Sequence, residues 1–292
     1  MQNSGLDEIR TVGIFLGPYR NFTTLTASLL FLHPSCQVLN HAAGRILGNE
    51  SLDFIAGYSE EKFQAFLRFA ISASEGGRNG DFGGSITHSH AFLSHDSMRE
   101  AHRNAGSALV KPEIHALVWK DSLQVSNYLR QNKTDLDALF SKNKKLRFIM
   151  PVRNPLDCAM SNLFTARASY FQGLESDVTL MPVLKAVLEE HLWFEQCRKC
   201  YPDKFFNFFQ DEINQEETFV RLARYLELDA KTEWLANVRS AWELKGRRYK
   251  FPPKVVEQYR QMVVQAFSAQ PEFSDRLLAL AENALQSKCQ SG

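Results

Sequence analysis

The chain has almost no net charge. Its 292 residues carry 34 Lys and Arg against 33 Asp and Glu, a balance of +1. A protein that coats a polyanion needs a large excess of one sign, so nucleic acid is excluded as a bulk partner. No apolar run approaches the roughly 18 residues that a membrane span requires, so no spanning segment is expected. The first ten residues, Met1 to Arg10, are polar and mixed in charge, and without an apolar stretch there they do not read as a signal peptide. Cysteines are few and odd in number: Cys36, Cys158, Cys197, Cys200 and Cys289. That pattern excludes a disulfide framework and leads to the expectation of reduced thiols in a cytoplasmic protein. There is no internal repeat and no low-complexity tract. A phosphate loop of the Gly-x-x-x-x-Gly-Lys-Ser/Thr type is missing as well.

What is present is an ordinary globular composition, 44% hydrophobic and 23% charged, with strands and helices in alternation. Short apolar runs at Val12–Leu16, Gln37–Asn40, Ile114–Trp119, Arg147–Val152 and Lys204–Phe209 read as buried strands. Helical spacing marks Thr23–Leu32, Glu60–Ser74, Ser122–Gln131, Val178–Cys200, Glu216–Leu226, Pro253–Phe267 and Ser274–Leu285. Glu75–Ser97, crowded with glycine and histidine, reads as a long loop, and residues 237–252 as a basic linker. Strands that alternate with helices predict an α/β fold of three layers, α/β/α, around a central parallel sheet. Residues 1–292 are expected to form one domain that closes with helices from about residue 253. In such sheets ligands gather at the carboxyl ends of the strands.

Two segments look built for anions at those ends. In Gly17-Pro18-Tyr19-Arg20-Asn21-Phe22-Thr23-Thr24-Leu25 a strand turns into a helix, whose free N–H groups and dipole favour a negative ligand. The hydroxyls of Thr23 and Thr24 add donors, and Arg20 adds charge. In Phe148-Ile149-Met150-Pro151-Val152-Arg153-Asn154-Pro155 a strand ends at Arg153, and Ser161 follows about two helical turns on. A guanidinium fork and a hydroxyl can grip one phosphate from two sides. A third basic segment, Lys245-Gly246-Arg247-Arg248, has a glycine that lets the backbone fold round an anion.

In this order and spacing, the three segments resemble the sulfotransferases that use 3′-phosphoadenosine 5′-phosphosulfate (PAPS). The resemblance runs from about residue 11 to residue 255. It implies a P-loop NTPase-like sulfotransferase fold and transfer of a sulfuryl group to a hydroxyl or amine, leaving adenosine 3′,5′-bisphosphate. It implies that Arg20, Asn21, Phe22, Thr23, Thr24 and Leu25 hold the 5′-phosphosulfate, and that Arg153 and Ser161 hold the 3′-phosphate. Lys245, Gly246 and Arg247 resemble a late loop of the branch that sulfates carbohydrates. Lys120, in Trp119-Lys120-Asp121-Ser122, resembles that branch's catalytic lysine. Arg20 stands where the family usually has Lys, and Phe22 where it usually has Gly.

Arg20 and Lys120 are thus expected to stabilise charge, and no metal is implied. His41, where that branch often has Glu, is the first candidate for the base, with His88 and His90 as competitors. The acceptor is a small molecule or a carbohydrate. His88, His90, His95 and Asp96 offer a weak metal pattern, and Cys197-x-x-Cys200 a weak zinc or redox one. Phe205–Phe209 reads as a buried strand rather than as a platform for adenine. A P-loop kinase-like phosphotransferase and a non-catalytic nucleotide-binding module are the alternative functions.

Overall fold

The computed structural model describes residues 5–77, 83–175, 177–242 and 249–286. Among these residues six strands form one sheet: β1 (Thr11–Phe15), β2 (Cys36–Asn40), β3 (Gly84–Ser85), β4 (Ala116–Lys120), β5 (Leu146–Val152) and β6 (Phe205–Phe209). Their order across the sheet is β3-β2-β4-β1-β5-β6. All pairings are parallel except β2 with β3. β1, β2 and β4 are buried along their whole length, as strands covered on both faces must be.

The helices are α1 (Thr23–Phe31), α2 (Ala43–Ile46), α3 (Glu60–Ser74), α4 (His90–Leu93), α5 (Asp96–Asn104), α6 (Leu123–Gln131), α7 (Leu136–Lys142), α8 (Pro155–Phe164), α9 (Leu180–Cys200), α10 (Glu216–Tyr225), α11 (Thr232–Ala241), α12 (Pro253–Ala266) and α13 (Pro271–Gln286). They cover both faces, which gives the expected three layers. Alternate strand residues feed two cores. Ile14, Trp119, Phe148 and Met150 join α3, α6, α8, α9, α12 and α13 on one side. Phe15, Val38, Val118 and Phe208 join α1, α5, α10 and α11 on the other. No helix among the described residues is long and apolar enough to cross a membrane.

Two stretches depart from the sequence reading. Glu75–Ser97 is not wholly loop. It holds β3, a 3-10 turn at Ile86–His88, and α4, and α5 begins within it. Two apolar side chains, Ile86 and Phe92, are enough to anchor it to the second core. Glycine allows the close approach there: at Gly83 (φ +78°) an added Cβ would lie 2.4 Å from that of Ala42. The linker expected at 237–252 begins inside α11, whose Trp234, Leu235, Val238 and Ala241 make a buried stripe at helical spacing. Pro182 does not interrupt α9, because it sits in the first turn, where no intrahelical N–H is needed.

Candidate active site

The carboxyl ends of β1, β4 and β5 bring the two anion segments into contact. After β1 the chain turns at Gly17, where φ is +90° and an added Cβ would lie 2.5 Å from Met150 Sδ. Gly17 N donates to Ser126 Oγ at 2.8 Å. Asn21, fully buried, then ties this loop to the end of β5. Its Nδ2 donates to Pro151 O, and its Oδ1 accepts from Arg153 N at 2.8 Å. Helix α1 starts directly afterwards. Phe22 caps it without any side-chain hydrogen bond, so the first N–H groups of the helix, which have no acceptor inside it, keep their capacity for an anion.

Phe22 adopts the left-handed conformation, φ 62° and ψ 8°, which a glycine would reach without steric cost. Its ring lies under the Arg153 guanidinium, 5.2 Å from centroid to Cζ, within cation–π range. Leu25 faces the core, so only its backbone is near the loop. Arg153 Nη1 donates to Arg20 O at 3.1 Å. Arg20 Nε donates to Ser161 Oγ at 3.0 Å. Ser161 sits in α8, two turns past Asn154, which caps the helix through Leu156 N at 3.0 Å. Arg20, Phe22, Arg153 and Ser161 therefore form one continuous patch. Lys245, Gly246 and Arg247 lie outside the described residues. The next aromatic after them, Tyr249, stacks on Phe164 with centroids 5.5 Å apart, at the end of the helix that carries Ser161.

Next to this patch lies a second group, at the ends of β2 and β4. Lys120 ends β4 and is only 4% exposed. Burial lowers its pKa to about 8, helped by the positive charges of Arg167 and Arg20 and opposed by Asp121. His41 follows β2 with φ 63°. Burial and then Lys120 hold its pKa below the usual imidazole value, against the pull of Asp121. The ring is therefore neutral at pH 7, as a proton acceptor must be. His90 opens α4. The residue is exposed; desolvation of its ring and then the charges of Arg20 and Lys120 lower its pKa. His88 ends the preceding 3-10 turn, half-buried.

Among the described residues nine non-glycine residues have positive φ, and five of them (Arg20, Phe22, His41, Ala42 and Ser122) fall in these three loops. Strain of this kind persists where surrounding structure enforces it, often at functional sites. Sequence reasoning missed Tyr19, Asp121 and Arg167. Tyr19 is half-buried, and desolvation and then the Asp121 charge push its hydroxyl pKa up. The Tyr19 ring meets Tyr170 edge-on at 5.5 Å, and Arg167 donates to Tyr170 Oη at 3.1 Å. No spacing rule points to Arg167, because it lies in the irregular chain after α8. The other patterns weighed in the sequence are spent elsewhere. His95 packs edge-on against Trp242 at 5.0 Å, Asp96 pairs with Arg99, and Cys197 and Cys200 lie in the last turn of α9.

No family model matches the chain, and no curated protein matches it. The solved structures similar to it are chiefly sulfotransferases. A mouse sulfotransferase complexed with PAP is 12% identical, with 95% of this chain and 90% of that chain covered and a TM-score of 0.48. A sulfotransferase from Mycobacterium avium is 16% identical, with 91% and 78% covered and a TM-score of 0.43. The sulfotransferase domain from the curacin biosynthetic pathway is 13% identical, with 78% of each chain covered and a TM-score of 0.44. Likeness at this level assigns no residue a role. The fold stands on the sheet order, and the site stands on its own contacts.

Proposed function

We propose that this chain is a sulfotransferase that moves a sulfuryl group from PAPS to a hydroxyl or amine of a small molecule or carbohydrate. One observation carries the reading. Two anion-binding segments meet through the Arg20–Ser161 contact, and the buried cation of Lys120 lies beside them with the neutral imidazole of His41. The donor set fits a ligand with two separate anionic groups. PAPS, when bound, supplies an activated sulfuryl group: an acceptor oxygen–sulfur bond forms as the bridging oxygen–sulfur bond breaks, the acceptor proton goes to a base, and adenosine 3′,5′-bisphosphate leaves.

The residues divide that work. The backbone N–H groups from Asn21 to Thr24, in the loop and first turn of α1, with the Thr23 and Thr24 hydroxyls, take the 5′-phosphate side. Arg153 and Ser161 take the 3′-phosphate, with Lys245, Gly246 and Arg247 closing over it. Phe22, held under Arg153, steadies the guanidinium. Arg20 and Lys120 supply positive charge where the leaving oxygen gains negative charge. His41 accepts the acceptor proton, and His88 and His90 are the competitors for that role.

The test is transfer of radiolabelled sulfur from PAPS to a panel of sugars, phenols and amines. His41→Ala should cut turnover by about a hundredfold or more while adenosine 3′,5′-bisphosphate still binds. Transfer of the γ-phosphoryl group of ATP to the same panel, with none from PAPS, would replace this reading by the kinase-like one. Bisphosphate binding without any transfer would replace it by a binding module.

A further inference from the structure

Three consecutive residues at the end of β4 grip His41. The parallel register pairs Asn40 with Lys120, and the ladder continues one step, with His41 N donating to Lys120 O at 2.8 Å. From the residue before, Trp119 Nε1 donates to His41 O at 2.7 Å. The backbone of His41 is thus fixed from both sides in its left-handed conformation. From the residue after, Asp121 addresses the ring. Asp121 is 1% exposed, and its Oδ2 accepts from Ala43 N at 2.6 Å. Its Oδ1 is buried without any hydrogen-bond partner and lies 3.9 Å from His41 Nδ1.

A buried carboxylate oxygen left unpaired is uncommon and costly. Here it faces a ring that has a donor to give. At 3.9 Å the two atoms are in ion-pair reach, and about one ångström of closure makes a hydrogen bond. Neutral imidazole carries its single proton on one nitrogen or the other, and a neighbouring acceptor decides which.

We propose that Asp121 is a positioning residue that fixes the tautomer of His41, with the proton on Nδ1 facing Asp121 Oδ1 and the lone pair of Nε2 left for the acceptor. The proposal rests on the reading of His41 as the base. As the acceptor oxygen bonds to sulfur, its proton moves to Nε2, and the ring becomes an imidazolium paired with Asp121. Asp121 itself takes no proton, and the ring returns its own to solvent afterwards. The other charged or titratable groups that act on this pair are Lys120 from β4, Tyr19 from the β1–α1 loop, His90 from α4, and Arg167 after α8; Arg20 acts on His90 and Lys120. Lys120 and Arg167 oppose the imidazolium, and Asp121 is the carboxylate that offsets them.

The variant Asp121→Asn keeps an amide oxygen for Ala43 N but turns an NH₂ toward Nδ1. It should favour the tautomer protonated at Nε2, which has no lone pair for the acceptor. Nitrogen NMR shifts of labelled histidine, with His41 assigned by its loss in His41→Gln, read this directly. The native protein should show His41 protonated at Nδ1. Asp121→Asn should show the proton moved to Nε2, turnover lower by about a hundredfold or more, and bisphosphate affinity within about twofold. A native His41 already protonated at Nε2 overturns the proposal, and that measurement needs no variant. So does Asp121→Asn with tautomer and turnover unchanged. Failure of the native protein to bind adenosine 3′,5′-bisphosphate is a separate result, which removes the nucleotide reading and leaves the tautomer measurement to decide on Asp121.

Discussion

Arg20 Nε donates to Ser161 Oγ at 3.0 Å across 141 residues of sequence. The group assigned to the leaving oxygen and the group assigned to the 3′-phosphate thus touch one another. An anion entering between them has to separate them, and its charge offsets the lost contact. Ser161→Ala removes both the contact and a phosphate donor. It should weaken adenosine 3′,5′-bisphosphate by only about three- to tenfold, because a neutral hydrogen bond contributes about 1 kcal/mol. Arg153→Ala removes a charge-assisted pair and should cost about ten- to a hundredfold. Calorimetric titration of the two variants reads both effects.

Asn21 makes no side-chain contact that an anion could share, yet it sets the site. Its amide joins Pro151 O and Arg153 N, so it fixes the spacing of the two cradles. Asn21→Ala leaves both partners buried and unpaired. It should lower stability in denaturant by about 2–3 kcal/mol and weaken the bisphosphate as well. A stable variant with native affinity would show that the loops hold their spacing without it.

Lys120 gives the site a pH signature. Its pKa is about 8, below that of an exposed lysine, so the ammonium is charged below about pH 8 and neutral above it. Affinity for the bisphosphate should fall as pH rises through that region, one proton being lost. A bound anion raises the lysine pKa, so the midpoint in the complex should lie higher than in the free protein. His41 and His90 have depressed pKa values and are already neutral there, so they add nothing to the slope. Lys120→Ala should bind more weakly and lose this pH dependence. Lys120→Arg should keep its charge to higher pH.

Phe22 tests how strain and packing divide. Phe22→Gly removes the left-handed strain, about 1 kcal/mol, but loses the ring under Arg153 and its packing against the second core. The larger loss is the ring, so denaturant unfolding should show a net destabilisation of about 1–2 kcal/mol. An increase in stability would show that the ring contributes little.

Much of this was legible in the sequence because buried strands and amphipathic helices announce themselves. Glu60–Ser74 was bounded to the residue, with Ser59 capping it through Lys62 N at 3.2 Å. The Arg153–Ser161 spacing was legible too, since Asn154-Pro155 starts α8 and two turns then set the distance. The segment around α4 was not, because its hold on the core comes from a few apolar residues among glycines and polar side chains. Asp121 was hidden for another reason. Nothing in Trp119-Lys120-Asp121 says that all three residues address a histidine about eighty positions earlier. That follows from the β2–β4 register alone. Arg20 in contact with Ser161 was equally unreadable, as a long side chain's direction depends on what surrounds it.

The central claim is that two anion cradles act on one nucleotide. Calorimetry of the native protein with adenosine 3′,5′-bisphosphate, adenosine 5′-monophosphate and adenosine 3′-monophosphate tests it most directly. The account predicts one saturable site for the bisphosphate, with removal of either phosphate costing about tenfold or more. Equal binding of the bisphosphate and either monophosphate would contradict it.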